Sequence, residues 1–196
     1  MANYFSILIV ALTFFSVPTK NEISDFIEQL PRIAPHEKYT DFDESKFIKT
    51  QGYSFPTAII QTWEETPINN ISFEENQTIP FYTNQVTCMG TYTIKEGVKT
   101  VLIRKSNGDF PYFFYLLNLI KKEGKLIPVS QLEVYSVENA GGNLSFVITK
   151  EHQIKVYHIG EESALGTTVF IDANGQFQIE SSKWFRGNDY NNITKY

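Results

Sequence analysis

Two short clusters, Trp63-Glu64-Glu65 and Phe73-Glu74-Glu75, set aromatic rings beside paired carboxylates. Glu64-Glu65 after Trp63 suits a carbohydrate cleft, where two carboxyl groups share acid, base or nucleophile roles. Both clusters suit a docking surface, where rings anchor and charge steers. Adjacent residues on a strand point to opposite faces, so Glu64 and Glu65 are not themselves a catalytic pair. Trp63, Glu64, Glu65, Phe73, Glu74 and Glu75 are therefore the candidate binding residues, and no catalytic residue is assigned. The segment from Trp63 to Phe81 has no Lys or Arg and contains Pro67 and Pro80. Proline reduces the entropy lost when a loop is ordered on binding, and the acidic balance points to a basic protein partner. The plainer expectation is a solvated connection whose aromatics fold back onto a sheet.

Other reactive side chains are sparse. The histidines are His36, His152 and His158. In Gln153–Ile159, His158 shares a face with Ile154 and Val156, which predicts a half-buried ring. A zinc site built from His152, His158 and Glu151 or Glu161 has no HxH or HExxH spacing behind it. Cys88, the single cysteine, lies between Thr87 and Met89 in an expected strand and reads as a buried structural thiol. Asp172-Ala-Asn-Gly175 lacks the alternating ligands and distant glutamate of a calcium loop. Asn-Gly followed by Gln-Phe-Gln-Ile reads instead as a hairpin turn entering a strand. Ala140-Gly-Gly-Asn143 sits between two strands, with no helix N-terminus to hold phosphate. Nucleophile-elbow, Walker A, dinucleotide-binding and CxxC motifs are absent. No metal or cofactor is expected. Trp184-Phe185-Arg186 is an aromatic–cationic cluster, expected to pack the tail against the sheet.

The elements that must position these residues follow from composition and pattern. The chain has 196 residues, 42% of them hydrophobic, with 16 Phe, 11 Tyr and 2 Trp, enough for one sizeable core. The net charge is −5 and the basic residues are scattered, so a nucleic-acid partner is not expected. Ile23, Phe26, Ile27 and Leu30 form an amphipathic helix stripe, with Asn21 as N-cap and Pro31 as its end. A second short helix is expected over Asp43–Thr50, and Thr57–Trp63 reads as a possible strand.

From Thr83 onward, apolar and β-branched runs alternate with short polar turns. The expected strands are Gln85–Ile94, Lys99–Arg104, Phe110–Ile120, Leu126–Val137, Leu144–Thr149, Gln153–Ile159, Thr167–Ile171 and Gln176–Glu180. The fold class is mainly β: an antiparallel meander of about eight strands, curled as a barrel or sandwich, with one or two short N-terminal helices. Phe110–Ile120 is apolar on both alternating faces and needs a cover on each. The N-terminal helix is the natural cover for one and a strongly bent sheet or a partly closed barrel for the other, with an exposed aromatic binding surface as the functional alternative.

Residues 1–19 read as a signal peptide or N-terminal hydrophobic segment, and 20–196 as a single β-rich domain. Phe5–Val17 is a 13-residue apolar or weakly polar run broken by Pro18, too short for a stable membrane anchor of about 20 residues. No stable transmembrane anchor is expected after processing. Leu12-Thr-Phe-Phe-Ser16 looks like the tail of a bacterial lipoprotein signal, but Val17 stands where the lipid-bearing cysteine would be. Asn70, Asn76, Asn143 and Asn192 lie in Asn-x-Ser/Thr triplets, which are glycan sites in a eukaryotic secreted protein and chance in a bacterial one; the signal's ending favours the second.

With the Phe26-Ile-Glu-Gln-Leu-Pro31 segment and the strand-turn pattern ending in Ile171-Asp-Ala-Asn-Gly-Gln-Phe177, the chain resembles exported β-rich proteins of unknown function of Bacteroidetes-type bacteria. That resemblance implies a cell-envelope location (periplasm, or secretion) and no particular reaction. Three functions are open at this point. The first is a non-catalytic binding module of the envelope, such as an immunity or inhibitor protein. The second is a small hydrophobic-ligand carrier with a lipocalin-like cavity, although the Gly-x-Trp signature is missing. The third is a hydrolase with a dispersed active site.

Overall fold

The computed structural model describes residues 22–35, 52–54, 69–71, 86–106, 112–137, 143–149 and 151–194. The second helix, the strand at Thr57–Trp63 and the segment 1–19 lie outside the described residues. A first helix, α1 (Glu22–Gln29), precedes two short strands, β1 (Tyr53–Ser54) and β2 (Asn69–Ile71). Eight longer strands follow: β3 (Val86–Tyr92), β4 (Val98–Ser106), β5 (Tyr112–Lys122), β6 (Lys125–Val137), β7 (Asn143–Ile148), β8 (Ile154–Ile159), β9 (Ser163–Ile171) and β10 (Phe177–Arg186). A last helix, α2, covers Asn188–Thr194. The eight-strand antiparallel meander expected from the sequence is present. Among the described residues, no helix is long and apolar enough to cross a membrane.

The strands pair in the order β1-β3-β4-β5-β6-β7-β8-β9-β10, with β2 added parallel to β6. The path bends at one point. β6 and β7 share only Ser136↔Leu144 and Val137↔Asn143. The bend separates a five-stranded layer (β1, β3–β6) from a four-stranded layer (β7–β10), and the two do not close into a barrel.

The layers meet over one continuous core. Leu102, Phe114, Leu116 and Leu132 come from the first layer, and Phe146, Ile154, Val156, Val169 and Phe177 from the second. All are fully buried, each contributing about 2 kcal/mol of transfer free energy. Tyr92 meets Phe146 edge-to-face across the layers at 6.4 Å. On the far face of the first layer, Ile27 of α1 and Leu30, the residue just after it, cover Val101, Ile103, Tyr115, Leu117 and Leu119. The doubly apolar β5 thus has the two covers its sequence demands.

A buried polar joint locks one end of the sandwich. Thr100 Oγ1 donates to Asn118 Oδ1 at 2.8 Å, and Asn118 Nδ2 donates to the Gly175 carbonyl at 2.9 Å. Ser130 Oγ donates to the Asn69 carbonyl and accepts from the Phe177 N–H, both at 3.1 Å. Three strands of the first layer therefore hold the turn that starts β10. The turn has no side chain to spare at Gly175, where φ is +79° and an added Cβ would meet Ile120 Cγ2 at 2.6 Å.

Candidate functional site

The six sequence-selected binding residues, Trp63, Glu64, Glu65, Phe73, Glu74 and Glu75, lie outside the described residues. Between them in sequence, β2 is described, running parallel to Ser130–Leu132 of β6.

The Asp172 loop is a turn. Asp172 Oδ1 accepts from the backbone N–H of Asn174 at 2.8 Å and of Gln176 at 2.9 Å, and Oδ2 accepts from Gln178 Nε2 at 3.1 Å. Desolvation alone would raise this carboxyl's pKa. The N–H groups of Gln176 and Asn174, the Gln178 amide and the nearby Lys95 outweigh it and hold the carboxyl below its ordinary value. Among the described residues, no three His, Cys, Asp or Glu side chains gather as a metal site. His158 is half-buried, as its face predicted, opposite Leu144 and Leu165. His152 is exposed in a turn with φ of 62°. Cys88 is fully buried, and that burial pushes its thiol well up, away from the reactive thiolate.

One titratable row faces α1. Tyr115 of β5 pairs with Glu133 of β6, and Lys105 lies two residues along β4 from Ile103, Tyr115's other partner. Burial lowers the Lys105 ammonium's pKa. The types could serve acid–base chemistry, but relative exposures of 5% for Lys105 and 0% for Tyr115 and Glu133 give a substrate nothing to reach. These residues belong to the packing between helix and sheet.

The accessible constellation is on β10, the last strand of the pairing path. β10 runs on to Arg186, well past the expected end at Glu180. A bulge explains the difference. Ile179 pairs with Val169 and Ser181 with Thr168, so Glu180 is an extra residue that shifts the alternation. Ile179, Ser182 and Trp184 then oppose Val169, Thr167 and Leu165 and share the core-side face. The Thr167 and Ser182 hydroxyls lie 3.1 Å apart on that face. Yet Ile179 is 54% exposed and Trp184 58% exposed. The expectation that Trp184-Phe185-Arg186 packs the tail against the sheet is corrected here. Only Phe185 does so, reaching Tyr157 at 6.1 Å over the bare surface of Gly166, where a Cβ would sit 2.7 Å from its ring. Trp184 faces solvent with the Arg186 guanidinium 5.8 Å from its ring centre, and Lys183 Nζ lies 5.1 Å from the Phe185 ring centre on the other face.

The strand is held from behind along its whole length by β9. At its end Gly187, with φ of +56°, turns the chain into α2. Tyr190 of α2 donates to the Gly160 carbonyl at 2.6 Å, which ties the helix to the β8–β9 turn. Among the described residues, no strand pairs with the outer edge of β10. The arrangement offers backbone donors and acceptors, two apolar anchors and two cations on a fixed frame. Comparison with protein families, with curated proteins and with solved structures finds no match to this chain.

Proposed function

We propose that the chain is a non-catalytic binding module of the cell envelope that engages a protein partner through β10, in the manner of an immunity or inhibitor protein. The observation that carries this reading is the ten-residue strand at the end of the sheet, with Ile179 and Trp184 exposed on one face and Lys183 and Arg186 beside aromatic rings. Such an edge adds a partner's strand through main-chain hydrogen bonds, and the side chains set which strand it accepts. Exposed Trp and Arg are the residue types that most often dominate binding energy. The space between the layers is filled by large side chains, which argues against a ligand carrier. The envelope location rests on the apolar segment within residues 1–19. The acidic residues of 63–81 would steer a basic partner toward the same molecule.

A photo-reactive amino acid at Ser182, used in the native envelope, tests the reading. The expected result is a covalent adduct with a second, different protein that disappears when Trp184→Glu is added. An adduct that persists with Trp184→Glu, or none to any other protein, overturns it.

A further inference from the structure

We infer that, in the absence of that partner, the edge of β10 pairs antiparallel with β10 of a second copy, about a two-fold axis between the two Ser182 residues. The inference rests on β10 being a docking strand, and it names an occupant by complementarity.

The argument begins with the bulge. In a regular strand, residues five apart face opposite ways. The extra residue at Glu180 puts Ile179 and Trp184 on one face. With Glu180 counted as the extra residue, an antiparallel pair with its axis between the two Ser182 residues sets residue 179 of each copy opposite residue 184 of the other. Two exposed apolar side chains, 54% and 58% accessible, then cover one another twice. In the same register the bulge of each copy, Glu180 with Ser181, opposes Lys183 of the other, giving two cross-strand Glu180–Lys183 ion pairs. Gln178 opposes Phe185, and both lie on the outer face. Ser182 meets Ser182 on the axis, so the faces agree at every step.

A bulge and a lysine on an edge normally discourage pairing, because an ordinary strand cannot follow the bulge or answer the charge. A strand with the same bulge, and a glutamate opposite the lysine, meets neither obstacle. The second copy has both. The free edge begins after Phe177, whose N–H is bonded to Ser130 Oγ. The ladder is therefore short. It buries less than about 1,200 Å² in total, the weak end for protein pairs, and its dissociation constant should be micromolar or weaker. Because the axis closes the pair, association should stop at the dimer.

Sedimentation velocity of the full chain over a concentration series tests this, with Glu180→Lys, Lys183→Glu, the double exchange and Trp184→Ser. All four changes are at exposed positions, and far-UV circular dichroism checks that each variant is folded. Wild type should show a monomer–dimer equilibrium. Each single charge reversal should weaken it about tenfold, and the double exchange should restore it to within about threefold. Trp184→Ser should weaken it by at least about tenfold. A chain monomeric up to roughly 1 mM overturns the inference. So does a dimer indifferent to these changes, a double exchange no better than the singles, or growth beyond the dimer. If the chain is monomeric while Trp184→Glu still abolishes the partner adduct, self-pairing fails and the binding function stands. If it dimerises but no foreign adduct depends on Trp184, the functional reading fails alone.

Discussion

The two halves of β10 share one ladder with β9 and differ in almost everything else. Phe177, at the start, is fully buried, and its N–H is held by Ser130 across the sandwich. Seven residues on, Trp184 occupies the same face of the same strand and is 58% exposed. Pairing therefore does not decide burial here. The opposite layer does: it holds the first half of β10 through Ser130 and the turn before it through Asn118, and among the described residues it makes no such hydrogen bond to the second half. The first half holds the sandwich closed, and the second is carried by it.

The comparison is sharpest where truncation should cost most. Phe177→Ala should destabilise the chain by about 3–5 kcal/mol, the range for deleting a fully buried aromatic ring. Chemical denaturation with an unchanged m-value would measure it. A loss under 1 kcal/mol would mean that the start of β10 is no anchor. Asn118→Ala comes next. It removes the acceptor of the Thr100 hydroxyl and the donor to the Gly175 carbonyl, both buried, at a cost of about 2–4 kcal/mol. Asn118→Leu fills the space and separates the two contributions: it should lose as much if hydrogen bonding dominates, and less if the cavity does.

Asp172 gives a smaller effect with a pH signature. Asp172→Asn should cost no more than about 1 kcal/mol at neutral pH, because the carboxylate remains partly solvated. The folded-state pKa is depressed, so the carboxylate's contribution is complete above the ordinary value of 3.8 and is lost as the pH falls through the folded value. Stability curves of wild type and Asp172→Asn should therefore run parallel from pH 7 to pH 5 and converge below 3.8. A gap that persists in acid would assign the loss to amide geometry and not to charge.

The parts of the fold that were legible in the sequence are those written by local pattern. β5 shows its two covered faces in Phe110–Ile120, and Asn174-Gly175 announces a hairpin. The rest depends on what lies across space. Thr100, Asn118 and Ser130 sit on three strands, each looking like an ordinary polar residue within its own segment. Only the register makes them a joint. The length of β10 was hidden by Glu180, which breaks the alternation, and by two serines of low strand preference. Trp184 looked like packing because tryptophan is usually mostly buried. The candidate residues at 63–65 and 73–75 lie outside the described segments, and the exposed anchor Trp184 lies on a strand that continues six residues past the end its alternation predicts at Glu180.

The smallest expected change in stability is the most informative about the outer half of β10. Trp184→Ser removes a large side chain, yet its exposed ring has little buried area to lose. The folding free energy of the monomer should move by less than about 0.5 kcal/mol, against several for Phe177→Ala on the same face. The Arg186 stack is worth about 0.5–1 kcal/mol at an exposed site, part of it recovered by solvation of the freed guanidinium. Measured well below the dimer's dissociation constant, the two denaturation curves should nearly coincide. Measured well above it, wild type should gain stability with protein concentration and Trp184→Ser should gain less, because association stabilises only the folded chain. A large loss at low concentration would mean that Trp184 supports the fold itself. Near-coincidence at low concentration and divergence at high would show that an apolar residue on the core-side face is used outside the molecule.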